Sequence, residues 1–215
     1  MNQNTVIHIL IADDHAIVRA GLKQILADTK DIVVAAEAEN GLDAIKLCRD
    51  QDCQVMLLDI SLPDRSGIEV LKQVRKENPK LAVLMLSMHR EDQYAIRSLK
   101  AGAAGYLNKQ SAPKELVNAI RQVAKGQMYV SPALAQELAR QIGEDQDRPL
   151  HETLSDREYQ TLTMIASGKS VTDIANELML SVKTVSEYRS RLLAKMKLKN
   201  SAELTHYAIK HQLVE

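Results

Sequence analysis

The chain has 215 residues, enough for one large domain or two modest ones, each with its own core. Its 28 basic and 28 acidic residues balance, so overall charge points to no class of partner. No apolar run approaches the roughly 20 residues of a membrane span. The opening MNQNTV has no cationic stretch and leads into a strand pattern, so a secretory signal is not expected. Cys48 and Cys53 have a spacing that suits neither a zinc motif nor a disulfide framework, and both are expected to stay reduced. The chain has no Trp or Phe, and it reads as a soluble, cytoplasmic protein.

In chain order, apolar runs at 6–12, 32–38, 55–59, 81–87 and 105–109 read as five strands. Between and after them, 16–28, 41–51, 67–77, 90–102 and 113–126 carry apolar residues at three- and four-residue spacing, the mark of helices. Strict alternation of the two predicts an α/β domain over 6–125, a parallel sheet covered by helices on both faces. A connecting helix at 133–143 and the polar GEDQDRP at 143–149 make 126–149 a linker.

From 150 to 215 only helices are expected. SDRE at 155–158 is a capping-box pattern, and Gly168 supplies the stop. Ser170 and Ser181 stand where they cap helices over 171–179 and 182–196, and a last helix fits 201–212. The tight turn makes 170–189 a helix-turn-helix in an all-α, four-helix domain. Spacing alone fits a small bundle that binds nothing equally well. Charge shifts that balance: Lys183, Arg189, Arg191, Lys195, Lys197 and Lys199 face one acid, Glu187, over 183–199. A cationic stripe on the candidate recognition helix is a footprint for duplex DNA.

The stretch VMLLDISLPDRSG ends a core strand on a carboxylate, Asp59, where burial is costly. In an open sheet of order 2-1-3-4-5, strands 1 and 3 meet at the switch point, where ligands bind beyond the strand ends. Asp13 and Asp14 end strand 1, Asp59 strand 3, Ser87 strand 4 and Lys109 strand 5. Three clustered carboxylates repel unless a hard divalent cation shares their charge, and Mg²⁺ leaves room for a phosphoryl group. Asp59 can then attack as a nucleophile, with Lys109 balancing charge and Ser87 donating to a phosphoryl oxygen.

These residues and the tail motifs LSxRE, GKSxxxIAxxL and SxKTVxxYRxRLLxKM carry a resemblance. The first 125 residues resemble the receiver domain of bacterial two-component response regulators, which implies a flavodoxin-like fold, and the tail resembles the LuxR-type helix-turn-helix. Together they match the NarL/FixJ subfamily, with the tail nearest regulators of the GacA/UvrY kind. The resemblance implies that a histidine kinase phosphorylates Asp59. It implies that Asp14, Asp59 and the Ser61 carbonyl hold Mg²⁺, with Asp13 reaching it through water. Ser87 and Tyr106 would form the switch pair, although Tyr106 also reads, less strongly, as an ordinary half-buried strand aromatic. His15 is expected to cap the first helix, and His89 to influence how fast phosphate is lost.

For DNA, Lys183, Thr184, Arg189, Arg191 and Lys195 form the backbone-anchoring set, while Ser186, Glu187 and Ser190 occupy the outward positions. Some relatives have Lys or Val at those outward positions, so the base sequence they read is not carried over. The implied partners are a sensor kinase, double-stranded DNA and a second copy of the chain when phosphorylated, with no membrane. The protein itself is not expected to be an enzyme beyond taking up and losing its own phosphate. An aspartyl-phosphate enzyme would want an Asp where Ser61 stands, and a flavodoxin would want stacking aromatics. A pseudo-receiver scaffold, binding DNA regardless of phosphate, would tolerate loss of an acid or the lysine, and all are present.

Overall fold

The computed structural model describes residues 6–88, 93–143 and 149–214, which divide into two units, 1–138 and 139–215. In the first, β1 (Ile7–Ala12), β2 (Ile32–Ala38), β3 (Val55–Asp59), β4 (Ala82–Ser87) and β5 (Gly105–Asn108) form one parallel sheet in the order β2-β1-β3-β4-β5. The burial of each strand follows its sequence. All of VMLLD in β3 is buried, as a central strand covered on both faces requires, whereas β2 alternates because it lies at the edge.

Helices α1 (Ala16–Ala27), α2 (Gly41–Asp50), α3 (Gly67–Glu77), α4 (Gln93–Lys100) and α5 (Pro113–Ala124) follow the strands in turn. Alternate residues of the central strands go to opposite layers. Ile9, Ile11, Val55, Leu57, Leu84 and Leu86 pack with Leu26 of α1 and with Leu116, Ile120 and Val123 of α5. Helix α2 touches β1, β2 and α3, and α3 in turn touches β3 and α4. The predicted three-layer arrangement is therefore the observed one. The expected start of the fourth helix and His89 fall partly or wholly in 89–92, outside the described residues.

Two glycines are dictated by close approach rather than by a turn. A Cβ on Gly67 would lie 2.0 Å from the Asp59 carbonyl oxygen, and one on Gly105 would lie 2.7 Å from that of Tyr129. Gly67 lets the start of α3 press directly on the end of β3.

Helix α6 (Pro132–Gly143) follows, and 144–148 of the expected linker lie outside the described residues. The second unit holds a 3-10 turn (Leu150–Thr153), α7 (Asp156–Ala166), α8 (Val171–Glu177), α9 (Val182–Met196) and α10 (Ser201–Lys210). Ser155 and Glu158 form the reciprocal capping box that SDRE predicts, and Ser170 does the same with Asp173. Ser181 accepts from the Thr184 amide at the start of α9. The expectation for 171–179 overran by two residues. Leu178 is the C-cap of α8, and Met179 takes a left-handed conformation at φ 52° that turns the chain into α9. Met164, Ile165, Ile174, Ala175, Leu178 and Val185 form the core that joins α7, α8 and α9.

Candidate metal centre and nucleic-acid interface

The acidic rim lies where β1, β3, β4 and β5 end. Register pairs Ala12 with Leu58, Asp59 with Leu86, and Ser87 with Asn108, so these four strand ends lie side by side. The Lys109 amide donates to the Ser87 carbonyl at 2.7 Å, which extends the β4–β5 pairing to the lysine itself. Its ammonium lies 2.7 Å from Asp13 Oδ2 and 2.9 Å from Asp59 Oδ2. Asp13, Asp59 and Ser87 are all buried, while Asp14 is half-buried on the open side.

This burial sets the electrostatics. Loss of solvation pushes the Asp59 carboxyl up, and Asp13 adds to the effect against the pull of Lys109 and the Ser61 backbone amide. Burial also disfavours the Lys109 charge, but Asp59 and Asp13 outweigh it and hold the ammonium above its ordinary value. One ammonium thus serves two carboxylates. Asp13, Asp14, Asp59 and His15 each present a ligand atom, all within 4.8 Å of one another. Hard oxygen donors in charge excess, on a rim open at Asp14, fit a divalent cation that binds oxygen and retains water.

His15 corrects one expectation. It is the N-cap residue of α1, but its side chain makes no capping bond. Instead its Nδ1 lies 2.8 Å from Asp14 Oδ1 and 3.4 Å from Asp13 Oδ1, and its amide donates to Asp13 Oδ1 at 2.9 Å. The imidazole thus faces the rim acids and not the helix end. Tyr106, on β5, is enclosed completely rather than half-buried.

Two contacts of charged residues in this unit were not anticipated from sequence. Arg19 of α1 is buried, donates to the Asp13 carbonyl at 2.7 Å and pairs with Glu37 and Glu39 on and beyond β2. An arginine on an otherwise apolar inward helix face was the available signal. Asp64, in the loop after β3, accepts the amides of Gly41 and Leu42 at 2.7 and 2.9 Å. Nothing local in the sequence signals a contact between positions so far apart.

On the second unit, Lys183, Ser186, Glu187, Ser190 and Arg191 are exposed along one face of α9, and Thr184 and Arg189 are half-buried beside it. The inner face buries Val185, Leu192 and Met196. The anchoring set is not uniform. Lys183 is in none of the ion pairs found among the described residues, and Arg191 lies 3.6 Å from Glu187. Arg189 Nε donates to Ser201 Oγ at 2.9 Å, and the Thr184 hydroxyl lies 2.8 Å from that of Ser181. Lys195 Nζ lies 2.6 Å from the buried Glu158 carboxylate, a tie between α7 and α9.

The chain matches the response regulator receiver domain over residues 9–121 and the bacterial regulatory proteins, luxR family, over 152–208. It is 41% identical to the response regulator UvrY of Escherichia coli over 209 residues, 97% of this chain and 96% of that protein. It is 38% identical to the response regulator GacA of Pseudomonas aeruginosa, covering 98% of this chain and 99% of that one. Among solved structures, the RcsB response regulator of Salmonella typhimurium superposes with a TM-score of 0.68 at 28% identity, over 94% of this chain and 96% of that chain. A two-component response regulator of the LuxR family from Aurantimonas covers 65% of this chain and 100% of its own, at 34% identity and a TM-score of 0.61. The carboxylate rim at the switch point and the helix-turn-helix beyond it belong together: the chain is a member of the two-component response regulators that join a receiver domain to a LuxR-type DNA-binding domain.

Proposed function

We propose that Asp59 is the phosphoacceptor of this chain, and that its phosphorylation by a sensor histidine kinase in the cytoplasm raises binding to double-stranded DNA. The observation that carries this reading is the bridge from Lys109 to both Asp13 and Asp59, at 2.7 and 2.9 Å, on a buried rim. Asp14, Asp59 and the Ser61 carbonyl would hold Mg²⁺, with Asp13 adding its charge beside them. When bound, Mg²⁺ neutralises charge between the attacking carboxylate and the incoming phosphoryl oxygens.

The chain's own residues do the rest. An Asp59 carboxylate oxygen forms the new bond to phosphorus as the bond from phosphorus to the donor's imidazole nitrogen, or to the acyl oxygen of acetyl phosphate, breaks. Lys109 offsets the added negative charge, and the Ser87 hydroxyl donates to a phosphoryl oxygen. Ser87 and Tyr106 then pass the change to the domain surface. The protein transfers no group beyond its own carboxylate.

On DNA, α9 enters the major groove. Lys183, Thr184, Arg189, Arg191 and Lys195 contact the phosphates, with Arg189 and Lys195 exchanging part of their internal bonding for it. Ser186, Glu187 and Ser190 face base edges. A single module covers one half-site, so the phosphorylated chain binds as a homodimer. RcsB, similar at 26% identity with a TM-score of 0.65, has been solved on a promoter with phosphomimetic BeF3- present, which supports coupling of the two activities here.

Incubation with radiolabelled acetyl phosphate and Mg²⁺ tests the acceptor. Label should enter wild type, disappear with a chelator and be absent from Asp59→Asn. Acid-stable label of undiminished amount in Asp59→Asn would place the acceptor elsewhere.

A further inference from the structure

The loop from β3 to α3 begins at the rim, since Ser61 lies two residues after Asp59, and its far end is tied back there by the Gly67 amide, which donates to the Ile60 carbonyl at 2.8 Å. Its middle is bound to a different element. Asp64 Oδ1 accepts the Gly41 amide at 2.7 Å and Oδ2 accepts the Leu42 amide at 2.9 Å, two of the amides that α2 leaves unsatisfied at its start. The stem of the neighbouring Arg65 packs against the same helix end, where a Cβ on Gly41 would lie 2.5 Å from its Cγ. The last part of the loop is closed by Ser66, which caps α3 with Glu69.

Helix α2 already has its local cap, because the Asn40 side chain accepts the Asp43 amide at 2.9 Å. An additional, charged acceptor arriving from 23 residues away is not needed to start the helix. Its consequence falls on the loop. A carboxylate held by two amides near the positive end of a helix is fixed in height and in rotation. Asp64 lies three residues after Ser61.

We propose that Asp64 is a positioning residue for the cation site: by anchoring the β3–α3 loop to the start of α2, it holds the Ser61 backbone at the acidic rim. This rests on the reading that the rim binds Mg²⁺. Groups that orient metal ligands from behind affect affinity by about tenfold or more when removed.

The comparison that isolates this role sets Asp64→Ala against Asn40→Ala, since each takes an acceptor from the same helix end but only Asp64 belongs to the loop. Calorimetric titration of the full chain with Mg²⁺ should give a Kd about tenfold weaker for Asp64→Ala and unchanged for Asn40→Ala. Asp64→Asn keeps one acceptor oxygen and should fall between; it carries the same criterion if Asp64→Ala does not fold. Labelling by acetyl phosphate should need correspondingly more Mg²⁺ for half-maximal rate, with the rate at saturation nearly kept. A wild-type Kd in Asp64→Ala, or an equal weakening in Asn40→Ala, would overturn the positioning role. Wild-type protein that took up no Mg²⁺ would instead overturn the function proposed above, and this inference with it.

Discussion

Lys109 holds together two carboxylates that would otherwise be buried side by side without a counter-charge. Removing one partner of a buried ionic cluster costs far more than its net contribution, because the desolvated charges stay behind. Lys109→Met should therefore lower unfolding stability by on the order of 3 kcal/mol in urea without Mg²⁺. Millimolar Mg²⁺ should recover part of that loss, since a cation at the rim replaces the missing charge. A variant as stable as wild type in both conditions would mean that Asp13 and Asp59 are compensated by other groups. At this scale the sequence was informative about which residue types end each strand, and silent about contacts between distant elements. Asp13, Asp59, Ser87 and Lys109 stand out because a polar residue closes an apolar run. Asp64 and Arg19 do not, because their partners lie on elements that only packing brings near.

Among the elements, α7 and α9 illustrate the same division. The capping box of Ser155 and Glu158 is written within four consecutive residues and was visible at once. That Glu158 also binds Lys195, 37 positions away, depends on how two amphipathic helices pack. Burial works against the Glu158 charge, but the Lys195 ammonium and the Ser155 amide and hydroxyl outweigh it, leaving its carboxyl below the ordinary value. A depressed folded value means stability that is present above the unfolded value near 4.5 and is lost as pH falls below it. The Tm of the DNA-binding unit should thus drop on acidification from pH 5 to about pH 3, and drop less in Glu158→Gln, which starts lower at pH 7. The same geometry separates two lysines on α9. Lys183→Ala should weaken DNA binding and reduce its salt dependence by about one phosphate contact without changing Tm. Lys195→Ala should lower Tm as well. Unchanged stability in Lys195→Ala would remove the tie between the helices from the account.

For the whole molecule, strand count and helix layers follow from alternating hydrophobic periods, and the helix-turn-helix from capping serines and a tight turn, all of them local properties. Strand order is not local and follows only from the doubly wound arrangement. The end of α8 was not readable, because Met179 adopts a left-handed conformation that side-chain pattern does not encode. In the proposed function, phosphorylation at the carboxylate rim controls DNA binding by the second unit. Such control needs a difference of only a few kcal/mol between two states of the chain, within reach of a charged phosphoryl group on a buried carboxylate. The direct test is DNA binding and mass by light scattering for wild type and Asp59→Asn, each with and without acetyl phosphate and Mg²⁺. Wild type should gain affinity and become dimeric only with the phosphodonor, and Asp59→Asn should show neither change. Equal affinity and equal mass for wild type in both conditions would contradict control of DNA binding by Asp59.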